Sequence, residues 1–256
     1  MKILLVLVPV VLTAAPIGNP SLPMEIHEGF YIPSSSCTSS RIGYEGDFVS
    51  NARMNENSDP VDEYRQITNS GTVTINFIDR IDLYSTLGSS RTYATWRFTT
   101  PKGKTNRMEL ETIYRFLWAV GGRCVLYEWG NAILGCGGRY SRTDTPLAWT
   151  TINGAPISTS GSHLRWEQWQ VNLLLSYKID IFIPYLGINY LNGKTEVGPF
   201  QTAITQNEKS SLHMKNRSSI GLVIGCSLTS GKDFFLNIEG RLIDEEAFDI
   251  SGEIKF

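Results

Sequence analysis

The residues best equipped for chemistry are few and scattered. His27, His163 and His213 are the only histidines, and of these His163 alone adjoins a hydroxyl, that of Ser162. A serine hydrolase would carry its nucleophile on a tight G-x-S-x-G turn; the chain has no such motif. Four cysteines, Cys37, Cys124, Cys136 and Cys226, stand singly, without the C-x-x-C pairs or spaced histidines of a zinc site. The glycines of VGGR and GCGGR lack phosphate-loop spacing and a following helix, and suit a crowded interior instead. These residues predict no enzyme, no metal site and no cofactor.

Charge is the remaining chemistry. The totals, 23 basic and 25 acidic residues, nearly cancel, and no basic stripe marks a nucleic-acid surface. What stands out is spacing: charged and polar residues recur at alternate positions against apolar ones, as in strands with one wet and one apolar face. Ile42, Tyr44 and Phe48 oppose Arg41, Glu45 and Asp47. Ile81 and Leu83 oppose Asp82, and further on Ala94, Trp96 and Phe98 oppose Arg97. Tyr114, Phe116, Trp118, Val120, Cys124 and Leu126 oppose Arg115 and Arg123, and Leu134, Cys136 and Tyr140 oppose Arg139. Trp169, Val171, Leu173, Leu175 and Tyr177 alternate with Gln168, Gln170, Asn172 and Ser176. Ile220 to Leu228, Phe234 to Leu242 and the closing FDISGEIKF behave alike.

A soluble sandwich would alternate in the same way, so three further features assign the faces. Lys2 precedes ILLVLVPVVL and TAA, the pattern of a secretory signal, which predicts export and removal of residues 1–15. Trp and Tyr gather near segment ends, as in interfacial girdles, and short connections alternate with the long polar stretches 54–70, 100–112, 143–162 and 193–213. No apolar run reaches the roughly 18 residues of a spanning helix, whereas strands of about ten suffice. The prediction is an all-β, transmembrane antiparallel β-barrel of about ten strands, or twelve if a pair hides in the loops, with short periplasmic turns and longer outer loops.

The strands are expected at 41–52, 71–78, 81–99, 113–127, 130–142, 163–177, 182–192, 213–229, 233–243 and 247–256. Residues 81–99 could be one bent strand or a hairpin broken at GSSR, and NRMELETIYRFL could be a helical turn. Residues 16–40, rich in Pro and Ser, form an irregular segment either across the barrel opening or free in the periplasm, and 41–256 form the barrel. Apolar residues then face lipid, and the candidates for lining the interior are Glu45, Asp47, Asp82, Arg97, Arg115, Arg123, Arg139, Glu239, Arg241, Asp249 and Glu253, with Lys255. Arg241 is expected opposite Asp249. This set carries both signs, so it could line a water-filled pore or lock into a polar plug. The exported cysteines become candidates for disulfides or plain small residues, and Phe256 is expected at the periplasmic interface on the lipid face.

The stretches GNPSLP, RIGYEGDFV, DRIDLYSTLG, WAVGGRCVLYEWGNAILG, EQWQVNLLLSYKIDIFIPYLGINY, KNRSSIGLVIG and EGRLIDEEAFDISGEIKF, in that order from end to end, resemble the chlamydial major outer membrane protein family of porins. The resemblance implies a cell-surface barrel in the outer membrane that lets small solutes and ions diffuse, and a disulfide-linked structural component of the envelope. Its implied partners are outer-membrane lipid, the barrel-assembly machinery that recognises a C-terminal aromatic, further copies of the chain and disulfide-linked envelope proteins. The chain is shorter than typical members, chiefly in the loops, so pore size and trimer contacts do not transfer; with four cysteines a cross-linked network is less expected. The competing expectation is a closed structural or adhesin-like barrel acting through its surface loops.

Overall fold

A computed structural model of the chain describes residues 18–25, 38–56, 59–99, 103, 105–200, 211–230 and 234–255. These contain the short helix α1 (Leu22–Glu25) and the strands β1 (Thr38–Ala52), β2 (Met54–Glu56), β3 (Asp59–Phe77), β4 (Ile81–Thr99), β5 (Thr105–Thr112), β6 (Arg115–Trp129), β7 (Ala132–Ile152), β8 (Ala155–Pro156), β9 (His163–Tyr177), β10 (Phe182–Gly198), β11 (Leu212–Asn216), β12 (Ile220–Thr229), β13 (Phe234–Leu242) and β14 (Glu245–Lys255). Ten long strands close a ring in the order β1, β3, β4, β6, β7, β9, β10, β12, β13, β14 and back to β1, each neighbour antiparallel. Closure pairs the edge that an open sheet would leave to hydrocarbon, where unpaired backbone groups find no water.

Three short strands raise the wall at the outer end. β5 continues β6 across a break at Ile113 and Tyr114 and fits between β4 and β7, while β11 and β2 bridge β10 and β3. NRMELETIYRFL is therefore strand, 81–99 is one continuous strand, and the ring holds ten strands rather than twelve. Much of the expected loop sequence is strand as well: β3 begins at Asp59, β7 runs to Ile152 and β10 to Gly198. β1 likewise starts at Thr38, inside the segment expected to be irregular. At the opposite end the connections are tight, as at Gly130 and Asn131, where Gly130 takes a positive φ of 62°.

The reason for the underestimated strands lies in what surrounds them. On β9, Trp169, Val171, Leu173, Leu175 and Tyr177 are exposed on the outer face, yet the same face ends in His163 and Arg165; inside, Gln170 and Asn172 give way to Leu164 and Trp166. Parity is unbroken and chemical character inverts. Where lipid surrounds the wall it is apolar outside and polar inside; beyond the lipid it is polar outside with an apolar core, like a soluble barrel. β4 does the same, which corrects the expectation there. Ala94 and Trp96 stay in step with Asp82 and are buried inside, and Arg97 points to the outer surface beside Asp62, Nε to Oδ2 3.3 Å.

The last hairpin also differs in register. Glu239 pairs with Asp249 and Arg241 with Ala247, because Ile243 and Asp244 make a tighter turn than expected. A slip of two residues leaves every side chain on its predicted face.

Candidate pore interior

The inward side chains form layers. At the short-turn end, Arg41 from β1 reaches Asp82 of β4 and donates from Nε to Glu253 Oε2 of β14 at 2.9 Å. Arg123 of β6 donates from Nε to Asp82 Oδ2 and from Nη2 to Glu253 Oε1, both at 2.7 Å. The result is a ring of alternating charge that ties four strands together. All four side chains are buried, and an unpaired charge there would be costly. Asn76 donates from Nδ2 to Asp82 Oδ1 at 2.8 Å, and the Arg123 guanidinium lies 5.1 Å from the centre of the Tyr84 ring.

Residues 18–25 lie across this end, inside the ring. Asn19 Nδ2 donates to Ser227 Oγ at 3.0 Å, Leu22 packs on Phe235, and the Leu22 and Pro23 carbonyls accept from Arg41 and Asn76. Gly135 leaves room for this segment: a Cβ there would stand 2.5 Å from Pro20 Cβ. Of the two expected placements of the N-terminal segment, these residues take the one across the opening.

The next layer is more acidic. Arg241 Nη2 meets Asp47 Oδ1 and its Nε meets Glu245 Oε1, both at 2.6 Å, with Glu239 Oε1 at 3.7 Å from Nη1. Glu45 reaches across the interior towards Arg139, 3.6 Å away on β7. Tyr185 fills the space beside them, its hydroxyl 3.0 Å from Asn237 Oδ1 and 2.9 Å from Glu239 Oε2. Gly225 accommodates that ring, because a Cβ would overlap the Tyr185 ring atoms.

Above the charges is an apolar cap. Met54, Tyr64, Trp96, Met108, Leu164 and Trp166 belong to one buried cluster drawn from strands around the outer wall. Within the cap, Thr195 Oγ1 donates to the Tyr64 hydroxyl at 3.4 Å. Between cap and charges, near Gln66, Gln168 and Glu245, is a cavity of about 20 Å³, roughly the room for one water.

The structure brings together Glu45, Asp47, Asp82, Arg123, Arg139, Glu239, Arg241, Asp249 and Glu253 inside the ring, with Lys255 buried at its lower edge. Arg97 and Arg115 are not among them. Arg97 was displaced by the change of surroundings described above; Arg115 is exposed with Ile113, Tyr114 and Phe116, where the break between β5 and β6 resets the alternation. Sequence reasoning left out Arg41, although it shares parity with Glu45 and Asp47, and also Asn19, Tyr84, Tyr185 and Glu245. Parity could have found Arg41 and Tyr185; the depth to which residues 18–25 enter the ring has no periodic signal.

Cys124 and Cys136 face each other across β6 and β7, sulfurs 3.3 Å apart and unbonded, on the face that carries Leu126 and Leu134. Cys226 on β12 is also free; Cys37, Phe256, His27 and residues 1–15 lie outside the described residues. His163 Nδ1 is 3.2 Å from Asp144 Oδ1, while Ser162 Oγ donates to the Pro199 carbonyl at 2.6 Å. The adjacent serine and histidine thus turn to different partners.

The sequence model of the family described as Chlamydia major outer membrane protein matches residues 136–211. The major outer membrane porin of Chlamydia trachomatis serovar F is 22% identical over 376 residues, covering 96% of this chain and 95% of that protein; the serovar C porin is 23% identical over 378 residues with the same coverage. Alignments of that length against a chain of 256 residues mean that the relatives carry insertions. Among solved structures, an outer membrane channel from Pseudomonas putida F1 superposes with a TM-score of 0.44 at 8% identity, covering 97% of this chain and 99% of that one.

Proposed function

We propose that this chain, a relative of the chlamydial major outer membrane proteins located in the outer membrane, is a narrow porin that passes small solutes and ions by passive diffusion and serves as a structural part of the envelope. The observation that carries this reading is the layer of ionisable side chains inside the membrane-spanning wall. An apolar filling would hold a ten-stranded barrel shut without burying charge, and charge inside a membrane protein ordinarily marks an ion pathway. The names of the full-length relatives support the same reading. Outer-membrane lipid contacts the outer apolar band, and small ions are the permeant partners. Passage then requires the apolar cap to wet, as in pores that gate at an apolar constriction.

A second reading, a closed structural barrel acting through its outer surface, is favoured by the packing of that cap and by residues 18–25 across the other end. Conductance separates the two. Refolded protein in a planar bilayer should give stepwise openings; a correctly folded barrel that stays silent overturns the porin and leaves the closed barrel.

A further inference from the structure

The acidic layer contains more carboxylate than its arginines neutralise. Asp47 stands directly opposite Asp249 on β1 and β14, and Asp249 directly opposite Glu239 on β14 and β13. Three carboxylates therefore occupy adjacent inward positions on three neighbouring strands, an arrangement in which like charges repel. Arg241 is committed to Asp47 and Glu245, and Arg139 stands 3.6 Å from Glu45. Asp249 and Glu45 are wholly buried, yet neither oxygen of either carboxylate has a hydrogen-bond partner. Buried carboxylates are ordinarily paired, hydrogen-bonded or coordinated to a cation. Over all the described residues, nine acidic side chains are buried against five basic ones.

We infer that Glu45, Asp47, Asp249 and Glu239 form a binding site for small monovalent inorganic cations, potassium or sodium, and that this site gives the pore its preference for cations. The second half rests on the porin reading; the first does not. Among the described residues no group of three or more histidine, cysteine, aspartate or glutamate side chains is arranged to chelate a metal, so a cation held here meets at most two of these carboxylates at a time. Favourable but weak binding is what conduction requires. Arg139, across the interior on β7, and Arg241, bonded to Asp47 within the cluster, limit the site by repelling a second cation.

Two measurements test the inference independently. In planar bilayers under a potassium chloride gradient, the reversal potential should report potassium over chloride, and Asp249→Asn and Glu45→Gln should each lower that ratio severalfold. A channel that favours chloride, or a ratio unmoved by both substitutions, overturns cation preference while leaving a porin. In detergent, the full-length protein should unfold at a higher temperature in potassium chloride than in choline chloride of equal ionic strength, since a ligand of the folded state stabilises it. Asp249→Asn should remove that difference without lowering stability in choline. A silent barrel that keeps the potassium dependence fails as a porin and retains the site; a wild-type protein indifferent to the cation has no such site.

Discussion

Arg123 donates through two separate nitrogens to two acids from different strands, and that fork determines what a substitution does. Arg123→Gln leaves Asp82 and Glu253 sharing only Arg41, and loss of one partner from a buried ionic group costs about 3–5 kcal/mol. The expected result is a lower urea midpoint for the refolded barrel, read by its gel mobility. Arg123→Lys should recover little, since one ammonium cannot reproduce a planar two-armed contact. Asp82→Asn together with Arg123→Gln should recover part of the loss, because the charge left behind is removed too. Cys124 and Cys136 allow a different measurement. Copper phenanthroline should take two electrons and two protons from their thiols and join the sulfurs in one bond, leaving Cys226 open to alkylation. Intact-mass and peptide analysis would show it; alkylation of Cys124 and Cys136 after oxidation would refute the pairing. The cross-link closes a short loop already held by the β6–β7 turn, so its stabilisation should fall below the roughly 3 kcal/mol of the loop-entropy estimate.

Among the elements, residues 18–25 are held by side chains rather than by a strand ladder, which makes them separable from the wall. Asn19→Ala with Leu22→Ala removes the contacts to Ser227 and Phe235 while leaving every strand pairing intact. If this segment limits passage, single-channel records should show larger or more frequent openings; unchanged openings would assign the barrier to the apolar cap. The strands themselves were unequally legible. β9 could be read from Trp169 to Tyr177 because lipid on one side and polar side chains on the other keep the alternation clear. The outer half of β4 was assigned the wrong face. There water replaces lipid outside, apolar residues move inside, and alternation read as lipid-facing places Trp96 outward and Arg97 inward. The interior charges within the lipid-facing part were legible for the same reason as β9, whereas Arg115 required knowledge of a break that no periodicity announces. Nothing in the composition showed that residues 18–25 would enter the ring.

At the scale of the whole molecule, the change of character around the wall locates the membrane. Trp118, Tyr140 and Trp169 meet edge-on and tilted across β6, β7 and β9 with ring centres 5.5 and 4.7 Å apart, and Tyr127 and Trp129 meet at 5.4 Å near the short-turn end. Two such aromatic groups fit the girdles at the edges of an apolar band. On β9 the band runs from Trp169 to Tyr177, close to the 9–11 residues with which a tilted strand crosses hydrocarbon. Leu173 lies at its centre and Glu167 beyond its outer edge. Arginine at the midplane of a barrel's lipid face costs about 2–4 kcal/mol, so Leu173→Arg should lower folding stability in lipid vesicles by that order. Glu167→Arg reverses a charge on a surface already in water and should have little effect beyond its contact with Arg142, which is 3.3 Å away and partly exposed. The contrast should weaken in urea titrations without a bilayer, because it reports burial in hydrocarbon rather than packing within the wall. Equal losses from both substitutions would mean that lipid extends past Glu167, and the outer apolar cap would then have to be explained as a feature of the membrane-spanning part, not of a wall that has emerged into water.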